Sequence, residues 1–133
     1  GVADIKRAGK DVTIVSFGKI IKEAYTAADE LEKEGISCEI IDLRTVRPLD
    51  INTVLESVKK TNRLVILEEA WPFGNVSTEI TYQVQEQAFD YLDAPIVKIN
   101  TADTPAPYSP GLLKEWIPNS NDVVKAVKKV LYR

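Results

Sequence analysis

Histidine and methionine are absent from the 133 residues, and cysteine occurs once. Without histidine these residues offer neither the commonest general base nor the serine and cysteine triads, and most zinc sites are excluded with them. Cys38 has no partner for an internal disulfide; set in an apolar strand pattern, it reads as a buried inert thiol suited to a reducing compartment. No apolar run approaches the roughly 20 residues of a membrane helix, and no charged-then-apolar leader opens the chain. The expectation is a soluble, cytoplasmic protein with no membrane partner. There is no excess of positive charge: the net charge is −3 and the pI about 5.1, with lysines and arginines scattered, which argues against nucleic acid as a partner. No G-x-G-x-x-G follows any strand pattern. Gly18-Lys19-Ile20 lacks both the upstream glycine and the Ser or Thr of a phosphate loop, and reads as a strand-to-helix turn.

What is present is enough for one core. With 44% hydrophobic and 28% charged residues, the chain is expected to be a single globular domain over residues 1–133. A start at Gly1 with no methionine anywhere suggests a domain excised from something longer. Strand and helix patterns alternate. Val12 to Phe17 reads as a buried strand, followed by Ile20, Ala24, Ala27, Ala28 and Leu31 at helical spacing up to Gly35. Cys38 to Leu43 is a second strand. A helix from Asp50 follows, with Ile51, Val54, Leu55 and Val58 on one face and Lys59 and Lys60 in its last turn. Leu64 to Leu67 has the continuous apolar character of a strand covered on both faces, and Val76, Ile80, Val84 and Ala88 mark the next helix. Ile96 to Ile99 is a further strand. The last helix is predicted to start near Asn121 and Asp122 and to bury Val123, Val124, Val127, Val130 and Leu131. Val2 to Arg7 is a candidate antiparallel edge strand. This alternation predicts an α/β fold with a mostly parallel sheet and helices on both faces.

Three stretches carry chemistry. Leu43-Arg44-Thr45-Val46-Arg47-Pro48-Leu49-Asp50 compresses a strand end, a corner and a helix start, and puts Arg44 and Arg47 at the carboxyl end of a strand, where open α/β sheets place ligands and partners. Glu68 and Glu69 end the third strand. Neighbours in an extended chain point to opposite faces, so they do not form one catalytic dyad; acid and base roles, a Mg2+ site, pairing with Arg44 or Arg47, or capping of the next helix stay open, with pairing or capping favoured. Trp71-Pro72-Phe73 puts bulky apolar groups in a loop, as a subunit contact does. Between Asn100 and Asn119 lie four of the seven prolines, with Tyr108 and Trp116. Such a stiff arm suits either docking on another surface or folding over its own sheet.

Asp11 to Phe17, Leu43 to Asp50, Glu68 to Pro72, Phe89 to Pro95 and Asp103 to Tyr108 together resemble the C-terminal domain of the beta subunits of thiamine-diphosphate-dependent 2-oxo acid dehydrogenases. The match looks closest to the pyruvate dehydrogenase component. The resemblance covers nearly the whole chain in order. It implies a transketolase C-terminal-like fold, three-layer α/β/α with a five-stranded mixed sheet, and a role in oxidative decarboxylation with acetyl transfer to lipoyl groups. Thiamine diphosphate and Mg2+ belong to the full enzyme: the resemblance implies that the alpha subunit holds the diphosphate and its Mg2+, while the glutamate that activates the aminopyrimidine ring lies in the N-terminal half of the beta subunit. This domain by itself is then expected to hold no cofactor, metal or catalytic residue and to be inactive alone. Implied partners are the alpha subunit, a second beta subunit in a heterotetramer, and the subunit-binding domain of the lipoyl acyltransferase. Arg44, Arg47, Glu68, Glu69, Trp71, Pro72, Phe73 and Tyr108 are the candidate subunit contacts. Acyltransferase binding domains of this family are basic, so Asp90, Asp93 and the C-terminal carboxylate of Arg133 are candidate docking groups. A bacterial chain would work in the cytoplasm and a eukaryotic one in the mitochondrial matrix. One departure from the family is Asn75 and Ser77 in place of glycines, which bears on how closely the following helix approaches. Two other readings stay open: the tail of a single-chain transketolase-like enzyme, and a free-standing module that takes a small ligand near Ser16 to Lys19.

Overall fold

The computed structural model describes residues 1–133. Five strands form one sheet in the order β1-β3-β2-β4-β5. Its centre is β2 (Val12–Ser16), with β3 (Cys38–Asp42) and β4 (Leu64–Leu67) parallel to it on either side. β5 (Val97–Ile99) adds in parallel beyond β4. At the other edge β1 (Asp4–Arg7) runs antiparallel to β3, with a register shift between Ile5 and Arg7. The sheet is therefore mixed, as the sequence pattern predicts. β2 and β4 are buried along their whole length because helices cover both faces.

α1 (Ile21–Glu32) and α5 (Ser120–Val130) lie on one face, over an apolar cluster that includes Ala24, Ala27, Leu31, Val123 and Val127. α2 (Ile51–Thr61) and α3 (Val76–Ala88) cover the other, around Val54, Val58, Ile80 and Val84. Local chemistry sets the helix ends. Asp50 caps α2, its carboxylate accepting from the Thr53 amide at 3.2 Å, while Lys59 and Lys60 occupy the last turn. Asn62 closes that helix in the left-handed region, with φ 65°.

Two sequence expectations need correction. α5 begins at Ser120, one residue ahead of Asn121, because Asn119 is the cap, and Asp122, three residues on, returns the bond as in a capping box. Val123, Val127 and Val130 are buried as predicted, whereas Val124 and Leu131 are only half-buried against the same cluster. The proline arm is also not wholly irregular. It contains a short helix, α4 (Pro110–Trp116), with Pro110 in its first turn. No residue of α4 is buried, so it carries no core stripe for a periodicity argument to find. No helix is long and apolar enough to cross a membrane.

Candidate functional site

The connections reverse direction at β2: its outgoing helix leads to β3 on one side, and β4 lies on the other. Crevices at the carboxyl ends of such strands are where open α/β sheets bind small ligands. Here that crevice is filled from within. The buried Ser16 hydroxyl donates across it to the Leu67 carbonyl at 2.8 Å. Glu68, the next residue of the β4 run, is 0% exposed. Its carboxylate accepts from the Ser77 hydroxyl at 2.5 Å, the Ser77 amide at 3.2 Å and the Asn100 side-chain amide at 2.8 Å. Because Ser77 lies in the first turn of α3, Glu68 neutralises free donors at a helix start. Capping, not pairing, is thus its role. The side chains of Asn75 and Ser77, where glycines were anticipated from the resemblance, are both used: Ser77 on Glu68, and Asn75 on the loop before α3.

The considered pairing of Glu68 or Glu69 with Arg44 or Arg47 does not occur. Arg44 and Arg47 stand after β3 and the glutamates after β4, with β2 in between. Two strand spacings put about 10 Å between those chain segments. Arg44, Arg47 and Glu69 are exposed, and none joins an ion pair of this chain.

Beyond Glu69 the chain displays its aromatic side chains and satisfies its backbone carbonyls. Phe73 is 87% exposed, Trp71 half exposed and Tyr108 fully so, while Pro72 is half-buried. Yet each carbonyl from Ala70 to Phe73 is taken. Thr101 N–H donates to Ala70 at 3.0 Å, the Asn75 side chain to Trp71 at 2.6 Å and to Phe73 at 3.1 Å, and the Lys98 ammonium to Pro72 at 2.5 Å. The proline arm is tied to the same loop. The Thr104 carbonyl accepts both indole N–H groups, from Trp71 and from Trp116, each at 2.9 Å.

The other candidate group lies at the amino ends of the strands. Asp90 is exposed in a 3-10 turn, Phe89–Tyr91, that follows α3. Asp93 approaches the Arg63 guanidinium at 3.8 Å, and the same guanidinium donates to the Val130 carbonyl at 3.0 Å. Arg63 thereby brings Asp93 alongside the end of α5, where Arg133 is exposed.

A second buried carboxylate escaped the sequence reading. Glu39 of β3 is 1% exposed. It accepts from the Ser57 hydroxyl at 2.6 Å and the Gly9 amide at 3.1 Å, and it pairs with the Lys60 ammonium. Burial raises its pKa, but the bonds from Lys60, Ser57 and Gly9 outweigh burial and hold it below the usual 4.5. Ser57 also bonds Thr13 at 2.6 Å, and Thr13 bonds Thr61 at 2.7 Å, so the polar group is closed on itself. The available signal was a glutamate alternating into an apolar run, with a lysine in the covering helix. The thiol of Cys38 is 1% exposed, and burial pushes it up to about 11, consistent with an inert group.

This donor set does not suit Mg2+ or a diphosphate. Glu68 and Glu39 have their oxygens occupied, and no group of three His, Cys, Asp or Glu side chains converges on a metal position.

Residues 1–123 match the model of the transketolase C-terminal domain family. The whole chain is 56% identical to the pyruvate dehydrogenase E1 component subunit beta of Rhizobium meliloti, covering 29% of that protein. It is 49% identical to the mitochondrial subunit beta-2 of Oryza sativa, covering 35% of it. The chain therefore spans about a third of the length of these relatives. Among solved structures, a split-gene transketolase in an inactive beta4 tetramer superposes with a TM-score of 0.85 at 30% identity, over 98% of this chain and 41% of that one. A 2-oxoglutarate:ferredoxin oxidoreductase from Magnetococcus marinus shares the fold alone, with a TM-score of 0.64 at 12% identity over 98% of this chain and 20% of its own.

Proposed function

The chain belongs to the transketolase C-terminal domain family, and from that premise we propose that it is the C-terminal assembly and docking domain of a pyruvate dehydrogenase E1 beta subunit. The observation that carries this reading is the carboxyl end of the sheet. Where a ligand-binding α/β module has a crevice, Ser16, Leu67, Glu68 and Ser77 fill the space. Above them Trp71 and Phe73 face solvent on a backbone whose carbonyls are satisfied. Exposed aromatic groups on a rigid support suit a protein contact.

In this reading Arg44, Arg47, Glu69, Trp71, Pro72, Phe73 and Tyr108 belong to contacts with the alpha subunit or a second beta subunit, and Glu68 supports them from beneath. A second beta chain is favoured at the aromatic loop, since the split-gene transketolase relative is a tetramer of its own beta chains. Asp90, Asp93 and the carboxylate of Arg133 form a separate docking rim for a basic subunit-binding domain of the lipoyl acyltransferase. Thiamine diphosphate, Mg2+ and the chemistry on pyruvate lie outside these residues, with the domain as scaffold. The compartment is the cytoplasm in a bacterium or the mitochondrial matrix in a eukaryote.

Two measurements test this. The coding sequence upstream of Val2 is expected to continue into a domain of similar size with a candidate activating glutamate, beside a gene with a Mg-diphosphate motif. Both motifs in one frame would make the protein a single-chain transketolase-like enzyme. Calorimetric titration of this chain with thiamine diphosphate and Mg2+ is expected to give no heat of binding; saturable binding would overturn the division of labour.

A further inference from the structure

The Lys98 ammonium is an unusual support. It stands on β5, half-buried, and its two partners are neutral: the Pro72 carbonyl at 2.5 Å and the Thr78 hydroxyl at 2.8 Å. No carboxylate pairs with it. A charged donor is stronger than a neutral one on the same acceptor, so the cation is spent on fixing one loop carbonyl to the first turn of α3. The segment it fixes carries Trp71, half exposed, and Phe73, which at 87% exposure has almost nothing of this chain to pack on. On the far side of the loop, the Trp71 indole closes the bracket through Thr104.

We propose that Lys98 is a positioning residue that clamps the Trp71-Pro72-Phe73 loop in its contact-ready form, so that its aromatic side chains meet a second beta chain without first being ordered. The inference rests on the assembly reading above. Ordering a loop and its side chains on binding costs conformational entropy; a loop held in advance avoids that cost. Asn75 shares the task, since its side chain spans the Trp71 and Phe73 carbonyls.

The chain has only two tryptophans, and each indole N–H reports on this bracket by NMR, with Trp116→Phe assigning the pair. In Lys98→Met the Trp71 indole signal is expected to move to the position of a solvent-exposed indole, with hydrogen exchange at least tenfold faster. Trp116 should keep its bond to the Thr104 carbonyl, and the melting temperature should change little. Lys98→Arg should restore the signal, which a loss of packing alone would not predict. Assembly of the full-length subunit, followed by sedimentation equilibrium, should weaken about tenfold in Lys98→Met. A Trp71 signal unmoved in Lys98→Met overturns the clamp. A freed Trp71 with unchanged assembly leaves the clamp standing and overturns the reading of the loop as a subunit contact. Lys98→Gln carries the same test if the methionine variant does not fold.

Discussion

Glu39 and Glu68 are the two buried carboxylates of this protein, and they are solved in opposite ways. Glu39, in the amino half of β3, has a cation: Lys60 reaches down from α2, and Ser57 and the Gly9 amide fill the remaining positions. Glu68, just past β4, has none; its partners are the Ser77 hydroxyl and amide and the Asn100 side chain. The first pins β3, α2 and the turn after β1 together and so belongs to the stability of the domain. The second joins a helix start to the base of the aromatic loop. The amino half of the sheet thus spends charge on holding itself together. At the carboxyl end, Arg44, Arg47 and Glu69 remain exposed and outside any ion pair of this chain.

If that division is right, the largest effect on folding comes from Glu39. Glu39→Ala leaves Lys60, Ser57 and the Gly9 amide without their acceptor, and should cost on the order of 3 kcal/mol in urea unfolding. Glu69→Ala, at the exposed end, should be neutral. The same contrast has a pH signature. The Glu39 pKa is lowered in the fold, so its contribution is fully present above its ordinary value near 4.5 and is lost as pH falls through the folded value. Lys60→Met, which removes a principal lowering cause, should shift acid unfolding to higher pH when followed by circular dichroism. Equal acid midpoints would break the comparison.

Next in size is an effect that should spare folding. Trp71→Ala at the carboxyl end is expected to weaken assembly by about 2 kcal/mol, roughly thirtyfold, with unfolding nearly unchanged. Identical sedimentation of mutant and parent would remove the anchor. Asp50→Ala is smaller, about 1 kcal/mol of stability. Its carboxylate caps α2 through Thr53 and also accepts the Ala3 amide at 2.9 Å, so protection of both amides from hydrogen exchange should fall together. The smallest effect is at the docking rim. Asp93→Lys should lower acyltransferase affinity by no more than about 1 kcal/mol, and only at low ionic strength; affinity unchanged there would count against Asp93.

Much of the carboxyl end was legible in advance, though not its connections. That Glu68 and Glu69 part to opposite sides follows from the period of a strand, and the structure has one buried and the other exposed. That Glu68 caps α3 was one option among several. Choosing it required knowing that β2 separates the glutamates from the arginines, and sheet order is a non-local property. α4 was invisible because none of its residues is buried. Lys98 was hidden for another reason: a lysine in a short strand reads as an edge or surface residue, and its two partners lie 26 and 20 residues earlier in the chain.

The sequence by itself determined the alternation of strands and helices, the cap at Asp50 and the family. Each of these is written in contacts between near neighbours or in a pattern that spans the chain. Only the tertiary structure decided which polar groups meet. It closed the crevice at β2 and β4, gave Glu39 its lysine, and supplied donors to four loop carbonyls while two aromatic side chains stayed outside. Those outcomes depend on the order of strands in the sheet. Burial sets that order for the whole chain at once, because every polar group that enters the core has to find its partner there.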